Sequence, residues 1–412
     1  MTDVSDSLTL KCGLTLPNRL AKAAMAENMA NSDTLPNANH VAIYSEWAKA
    51  GFGMVITGNV EVDQKHLGAA KDIALNRSVP YEKQLEAWKT WAKACNTSVS
   101  PTVVQINHPG RQSPPGAGTR GICDKSVAPS AIPLNFGSGL LPWLVKTLVF
   151  GTPLAMTTTD IQTLVKDFAD TARLAYEAGF SGVEIHAAHG YLLSQFLSPE
   201  SNQRTDEYGG SAAARAKIVL EIIAAIRAAV PKTFCVGIKL NSADVRSANQ
   251  LGDTIKQLKL IAATEIDFLE ISGGSYEKPT MSTGVLNNEA APAQSERTKA
   301  REAFFLEFAE AVRHEVPGLP LMVTGGFRSR TGMNAALSSG ACDMIGVGRP
   351  SILAPTLPND VVLNNNIKDE AATVSAPHVK RSWWMKKMGM SMVGAGAENM
   401  WYQARLQKIG TA

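Results

Sequence analysis

The stretch "TTTDIQTLVKDFADTARLAYEAGFSGVEIHAAHGY", residues 157–191, carries two structural periods one after the other. Ile161, Leu164, Phe168, Ala172 and Ala175 recur at helical spacing over 157–180, with Asp160 near the start and Gly179 marking the stop. "GVEIHAA" (182–188) then reads as a strand. Outward from this unit the alternation repeats. Strands are expected at "RLAKAAM" (19–25), "GMVITGN" (53–59), "PTVVQIN" (101–107), "FCVGIKL" (234–240), "DFLEISG" (267–273), "LMVTGG" (321–326) and "DMIGVG" (343–348). A second strong helix is expected over 211–230, with Ser211 as its N-cap. Strand and helix in alternation predict a parallel sheet. Eight such units predict an α/β fold closed into a (β/α)8 TIM barrel rather than an open, doubly wound sheet.

The barrel is expected to occupy residues 1–355, interrupted after its third strand by a Pro-, Gly- and Ser-rich insertion at 109–157. A loop of that length is expected to serve as a lid or substrate wall. Residues 356–412 form a C-terminal helical extension whose "SWWMKKMGMSMVGAG" and "NMWYQARLQ" segments suit packing on the barrel or on a second subunit, as in a homo-oligomer. Gly394-Ala395-Gly396 lacks a third glycine and a preceding strand, so it is no dinucleotide fingerprint.

At 45% hydrophobic and 19% charged residues, the 412-residue chain has the composition of a soluble globular protein. A net charge of +3 gives no reason to expect nucleic acid or an anionic membrane as partner. The most apolar stretch, "LLPWLVKTLVF" (140–150), is too short to span a bilayer and is broken by Pro142 and Lys146. The polar start "MTDVSDSL" is unlike a secretory signal, and five scattered cysteines suggest neither a disulfide scaffold nor a zinc or iron–sulfur site. A reducing, cytoplasmic setting is the expectation.

A barrel places its chemistry at the C-terminal ends of its strands. The unusual residues fall there: Gln105 and His108 after the third strand, His186 and His189 after the fourth, and Lys239 on the fifth. Gly325-Gly326 and Gly348-Arg349 close the seventh and eighth, where glycine backbone amides and a guanidinium suit a phosphate. The histidine pair admits three readings: metal ligands, catalytic donors, or satisfied core residues. A metal site needs at least three ligands, and His-x-x-His supplies two with no cysteine nearby. Two imidazole donors suit a carbonyl oxygen gaining charge, and Tyr191 suits proton delivery to a neighbouring carbon. That chemistry needs a hydride source, which side chains lack.

From residue 8 to about 352 the chain resembles the Old Yellow Enzyme family of FMN-dependent ene-reductases. The segments that carry the resemblance are "LPNRLAKAAM", "VVQINHPGR", "GVEIHAAHGYLLSQFLSPESNQRTDEYGGS", "VGIKLNSAD", "EISGGSYE", "VTGGFRS" and "IGVGRP", in the family's order. The resemblance implies noncovalent FMN, with Ala23, Ala24, Met25 and Ala26 along the pyrimidine side of the ring and Gln105 hydrogen-bonded to it. It also implies Lys239 near N1 and the C2 carbonyl, and a phosphate cradle of Gly325, Gly326, Gly348 and Arg349. His186 and His189 would then bind the substrate carbonyl, making the pair an oxyanion site without a metal, and Tyr191 would be the proton donor. "RTDEYGGS" (204–211) is expected to shape its loop and cap the next helix without touching substrate. Two positions depart from the family: Ala26 stands where a threonine or cysteine is usual, and Asn59 where a small residue is common.

The expected activity is hydride transfer from NADPH or NADH through the flavin to the β-carbon of an α,β-unsaturated carbonyl, with a proton to the α-carbon. A bacterial-type dienoyl-CoA reductase shares the barrel but needs an iron–sulfur cysteine cluster and a further dinucleotide domain, neither of which this sequence displays. The alternative from another class is a flavoprotein with a binding or biosynthetic isomerase role and weak reductase activity, which the Ala26 departure keeps open.

Overall fold

The computed structural model describes residues 2–96, 100–121, 123–136, 143–241, 248–272, 308–377 and 391–409. The "GGSYE" segment, the "SAD" of "NSAD", the Trp383-Trp384 segment and the basic cluster Lys380, Arg381, Lys386 and Lys387 lie outside the described residues. Eight parallel strands close into a barrel: β1 (Leu20–Lys22), β2 (Met54–Glu61), β3 (Thr102–Asn107), β4 (Gly182–Ala187), β5 (Cys235–Asn241), β6 (Phe268–Ser272), β7 (Leu321–Thr324) and β8 (Met344–Val347). Strand β8 pairs with β1 and β1 with β2, which closes the ring. The eight expected strands are all present, most trimmed by a residue or two and β2 extended to Glu61.

Helices flank the strands where periodicity placed them. The helix Thr158–Ala178 starts on a reciprocal cap in which Thr157 accepts from the Asp160 backbone and Asp160 accepts from the Thr157 backbone. It ends at Gly179, whose φ of 96° is a left-handed conformation that costs glycine little. The helix Ala212–Ala229 is capped by Ser211, as expected. Among the described residues, no helix is long and apolar enough to cross a membrane.

Strand alternation decides what faces the barrel axis. Outward-facing Val183, Ile185, Val236 and Ile238 join the large core shared with the helices. A separate apolar cluster of Ala21, Met54, Ile56, Val103, Cys235, Phe268, Met322 and Met344 fills the floor of the barrel. Leu10 and Leu16, from a hairpin pairing Leu8–Thr9 with Thr15–Leu16, join that cluster and plug the floor from below. Further along β3, β4, β5 and β6 the interior turns polar, with Gln105, Glu184, Lys239 and Glu270. Two residues beyond these, Asn107, His186, Asn241 and Ser272 reach the rim.

The insertion and the extension both fold back on this rim. Val127–Ala128 pairs with Leu154–Ala155, and Arg204 ties both arms of the insertion by donating to Pro129 O (2.9 Å) and Met156 O (2.5 Å). The expected loop-shaping role of "RTDEYGGS" is thus a set of named bonds. From the C-terminal end, Gln407 donates to the carbonyls of Glu27 and Asn28 just after β1.

Phe268 occupies the barrel interior beside Gly237, where a Cβ would lie 2.2 Å from its ring carbons. Gly237→Ala is therefore expected to destabilise the fold by about 1–3 kcal/mol through overpacking. Denaturant unfolding checks this, and the added variant Phe268→Leu should recover part of the loss; an unchanged midpoint in Gly237→Ala would refute the packing assignment.

Candidate active site

Each rim residue is placed by its own strand end. After β1, the chain runs as Ala23-Ala24-Met25-Ala26-Glu27, with Ala23 N donating to Val347 O (3.0 Å). Glu27 is buried and pins this segment to β2: it accepts the Tyr44 hydroxyl and the Gly58 N–H. Gly58 is required here, because a Cβ would lie 2.5 Å from Met25 O. At this point the β2–β3 register slips between Ile56 and Asn59. A bulge re-aims the side chain that follows it, and Asn59 Nδ2 comes 3.5 Å from the Tyr191 hydroxyl.

His186, His189 and Tyr191 do come together. The His186 ring lies 4.9 Å from both of the other rings, edge-on to each. The two histidines do not converge on one open point, however; they hydrogen-bond to each other. Ala188 N–H donates to His186 Nδ1 (3.2 Å), so the proton of the neutral ring sits on Nε2. That nitrogen lies 3.2 Å from His189 Nδ1, which leaves the His189 proton on Nε2, 3.0 Å from Ser272 Oγ. The result is a directed chain, His186 to His189 to Ser272. A carbonyl oxygen arriving here competes with His189 Nδ1 for the His186 proton.

His189 holds a left-handed φ of 58°, uncommon for a residue with a Cβ. Two bonds fix it there: His189 N–H donates to Asn241 Oδ1 (2.9 Å), and Gln112 of the insertion donates to His189 O (2.9 Å). Burial pushes both imidazoles well below their ordinary value of 6.5, helped at His186 by His189 and at both by the charge of Lys239.

Lys239 and Gln105 have partners that their expected ring contacts did not include. Lys239 Nζ lies 2.8 Å from Glu270 Oε1, with both side chains buried. Gln105 Nε2 donates to Glu184 Oε2 (2.5 Å). Burial first, then the charge of Glu270, pushes the Glu184 carboxyl well above the usual range. Neither glutamate was singled out from sequence, although a charged residue inside each of the apolar runs "GVEIHA" and "FLEIS" was the available signal.

The glycines expected to cradle a phosphate stand just past the ends of β7 and β8. Gly325 and Gly326 hold φ of 144° and 89°, which only glycine adopts readily, and Gly348 lies open, with just Met25 at ordinary contact distance from a built Cβ. Nearby, the Thr324 hydroxyl is buried without a partner among the described residues. Open backbone at the end of β8, two glycines in glycine-specific conformations at the end of β7, an unanswered hydroxyl and a buried cation fit a phosphate-bearing ring cofactor such as a flavin. Arg349 has partners that the sequence did not announce. Its guanidinium is already ion-paired with Glu398 of the C-terminal helix Ser391–Leu406 and stands 5.7 Å over the Tyr402 ring. The sequence suggested that the extension packs on the barrel or on a second subunit but pointed to no partner for Arg349.

One cluster beside the rim has metal-like spacing: Asp63, His66 and His108 offer ligand atoms within 4.8 Å of one another. Proton positions there oppose a metal. Gly110 N–H donates to His108 Nδ1 (3.0 Å), leaving the proton on Nε2, the atom that faces Asp63. Although burial opposes it, hydrogen bonds from His108 and His66 hold the Asp63 carboxyl well below the usual range. The cluster therefore reads as an ionised carboxylate between two imidazoles.

A barrel with this rim is a flavin-oxidoreductase scaffold, and comparison with known proteins agrees. The pattern of the NADH:flavin oxidoreductase / NADH oxidase family matches residues 7–369. The chain is 44% identical over 393 residues to the NADH-dependent flavin oxidoreductase iliE of Hypocrea jecorina (strain QM6a), covering 95% of this chain and 97% of that one. It is 46% identical to iccE of Talaromyces variabilis, covering 98% of each. It is also 49% identical to the iliE protein of Neonectria sp. (strain DH2), covering 97% of this chain but 53% of that protein's length. Among solved structures, the old yellow enzyme homologue from Zymomonas mobilis superposes with a TM-score of 0.70 at 23% identity, covering 91% of this chain and 97% of that one. The chain belongs to this NADH:flavin oxidoreductase family, the Old Yellow Enzyme family.

The depressed imidazoles set a pH dependence of stability. Below about pH 6.5 the unfolded chain protonates both histidines, while the folded chain keeps them neutral. Their contribution is thus present above that value and lost as pH falls. Denaturant midpoints measured between about pH 7 and pH 5 should decline, and less steeply in His186→Gln/His189→Asn. Equal slopes in the two proteins would show that the imidazoles charge freely in the fold.

Proposed function

We propose that this chain is an FMN-dependent ene-reductase that takes hydride equivalents from NADH and delivers them to the β-carbon of an α,β-unsaturated carbonyl compound. The observation that carries this reading is the group of buried His186 and Tyr191 and half-buried His189 at the end of β4, with His186 the register neighbour of Lys239. Bound flavin supplies the hydride chemistry that side chains lack. Relatives named as NADH-dependent favour NADH over NADPH.

Each residue has a stated task in this reading. His186 turns its Nε2 proton from His189 to the carbonyl oxygen and stabilises the charge that develops there. Neutral imidazoles donate only one proton each, so the direction of the chain fixes which ring binds. Tyr191, held by Asn59 at the far side, delivers the proton to the α-carbon. The insertion forms the outer wall, fixing His189 through Gln112.

A second reading has its own support. Ala26 offers the ring only backbone, and Glu270 offsets the charge of Lys239. Both weaken the drive toward flavin reduction and favour an isomerase role, in which the same oxyanion site and Tyr191 move a proton without net hydride transfer. Rapid mixing with NADH separates the two readings: a bound flavin that nicotinamide bleaches within seconds supports the reductase, and one that stays oxidised supports the isomerase.

The purified protein is expected to carry one FMN per chain, released on heating. Release of FAD, or no flavin after reconstitution, would remove the basis of the reading.

Tyr191→Phe is expected to slow reoxidation by enones about a hundredfold to ten-thousandfold while reduction by NADH stays near normal. Oxygen and quinones, which need no carbon protonation, should still reoxidise the flavin. Enone turnover within about threefold of the parent would assign the proton to another donor.

A further inference from the structure

The interior layer beneath the rim has a proton deficit. Gln105, Glu184, Lys239 and Glu270 come from four adjacent strands and are each at most 2% exposed. Register sets Lys239 beside both Glu270 and His186, and Gln105 beside Glu184. Lys239 Nζ reaches Glu270 Oε1 at ion-pair distance but off the direction a hydrogen bond needs. As a result, neither Glu270 oxygen receives a hydrogen bond from the described residues, and neither does Glu184 Oε1. Two carboxylates that only accept cannot satisfy each other, and a buried acceptor left bare bears its full desolvation penalty. One proton between the two carboxyls answers all of this. It leaves one negative charge to match the one on Lys239.

We propose that Glu270 is a positioning residue for the redox chemistry: it shares one proton with Glu184 and, as the counter-charge of Lys239, limits how strongly the barrel favours reduced flavin. The inference rests on the reading above that the flavin ring lies over Lys239. It assigns the ring's electrostatic environment to a pair of charges, where the lysine alone would give a stronger preference for the reduced form. The upward shift of the Glu184 carboxyl, caused first by burial and then by Glu270, agrees with the shared proton.

Two measurements test it. In the flavin-loaded protein, Glu270→Gln frees the charge of Lys239 and is expected to raise the affinity ratio of reduced to oxidised flavin on the order of tenfold, read from the midpoint potential. Glu270→Asp keeps the charge and should stay near the parent. In a Lys239→Met background the Glu270→Gln change should have no effect, because an unpaired buried carboxyl is already neutral. An unchanged ratio in Glu270→Gln with flavin still bound, or the same shift in both backgrounds, overturns the proposal. The second measurement is the infrared spectrum of the flavin-free protein near neutral pH. The parent should show a buried protonated-carboxyl band that Glu184→Gln removes, and Lys239→Met should add a second such band as Glu270 takes up a proton. Absence of either feature overturns the proposal even if Glu270→Gln does not fold. If the parent binds no flavin, the flavin reading fails on its own, and the infrared bands still decide the shared proton.

Discussion

A lysine ammonium sealed inside a barrel has to find its counter-charge there, and Lys239 finds Glu270 one strand away at 2.8 Å. Breaking one side of such a buried pair costs about 3–5 kcal/mol, so each partner fixes the other. The pair exists only because two parallel strands hold Lys239 and Glu270 in register. Everything above it inherits that register. His186 is the β4 neighbour of Lys239, and Ser272, two residues beyond Glu270, receives the end of the histidine chain.

Along the barrel axis the interior therefore changes character in layers. The floor is apolar and plugged by Leu10 and Leu16, the middle is charged and compensated, and the rim is neutral and hydrogen-bonding. Floor and middle together keep water out from below. Burial depresses both imidazoles, and the charge of Lys239, strengthened by this low-dielectric base, adds to it. The same arrangement keeps His186 and His189 as single-proton donors whose direction is set by the Ala188 amide.

Much of this was legible in the sequence. Strand positions followed from short apolar runs between helical ones, and the His186, His189 and Tyr191 group followed from the rule that barrels act at strand ends. Three features were not. The Arg349–Glu398 pair joins residues 49 apart through an extension that carries no barrel signal. The mutual bond of the two histidines depends on the Ala188 amide occupying His186 Nδ1, and spacing does not encode that. The influence of Glu270 on Glu184 requires β4 and β6 to flank β5, a consequence of strand order. The glutamates themselves were visible as charges in apolar runs, but a lone charge does not announce its partner.

The rim is also held from outside the barrel, by contacts that converge on three of its turns. Gln407 fixes the carbonyls of Glu27 and Asn28, Glu398 holds Arg349, and Gln112 holds His189 in its left-handed turn. A left-handed φ at a residue with a Cβ persists only where surrounding bonds over-determine it. Here one of those bonds comes from β5 and the other from the insertion, so the ring that receives the His186 proton is aimed by two elements remote in sequence. The insertion and the extension are thus parts of the site's geometry, and a change in either alters the direction of a hydrogen bond at the centre of the barrel mouth.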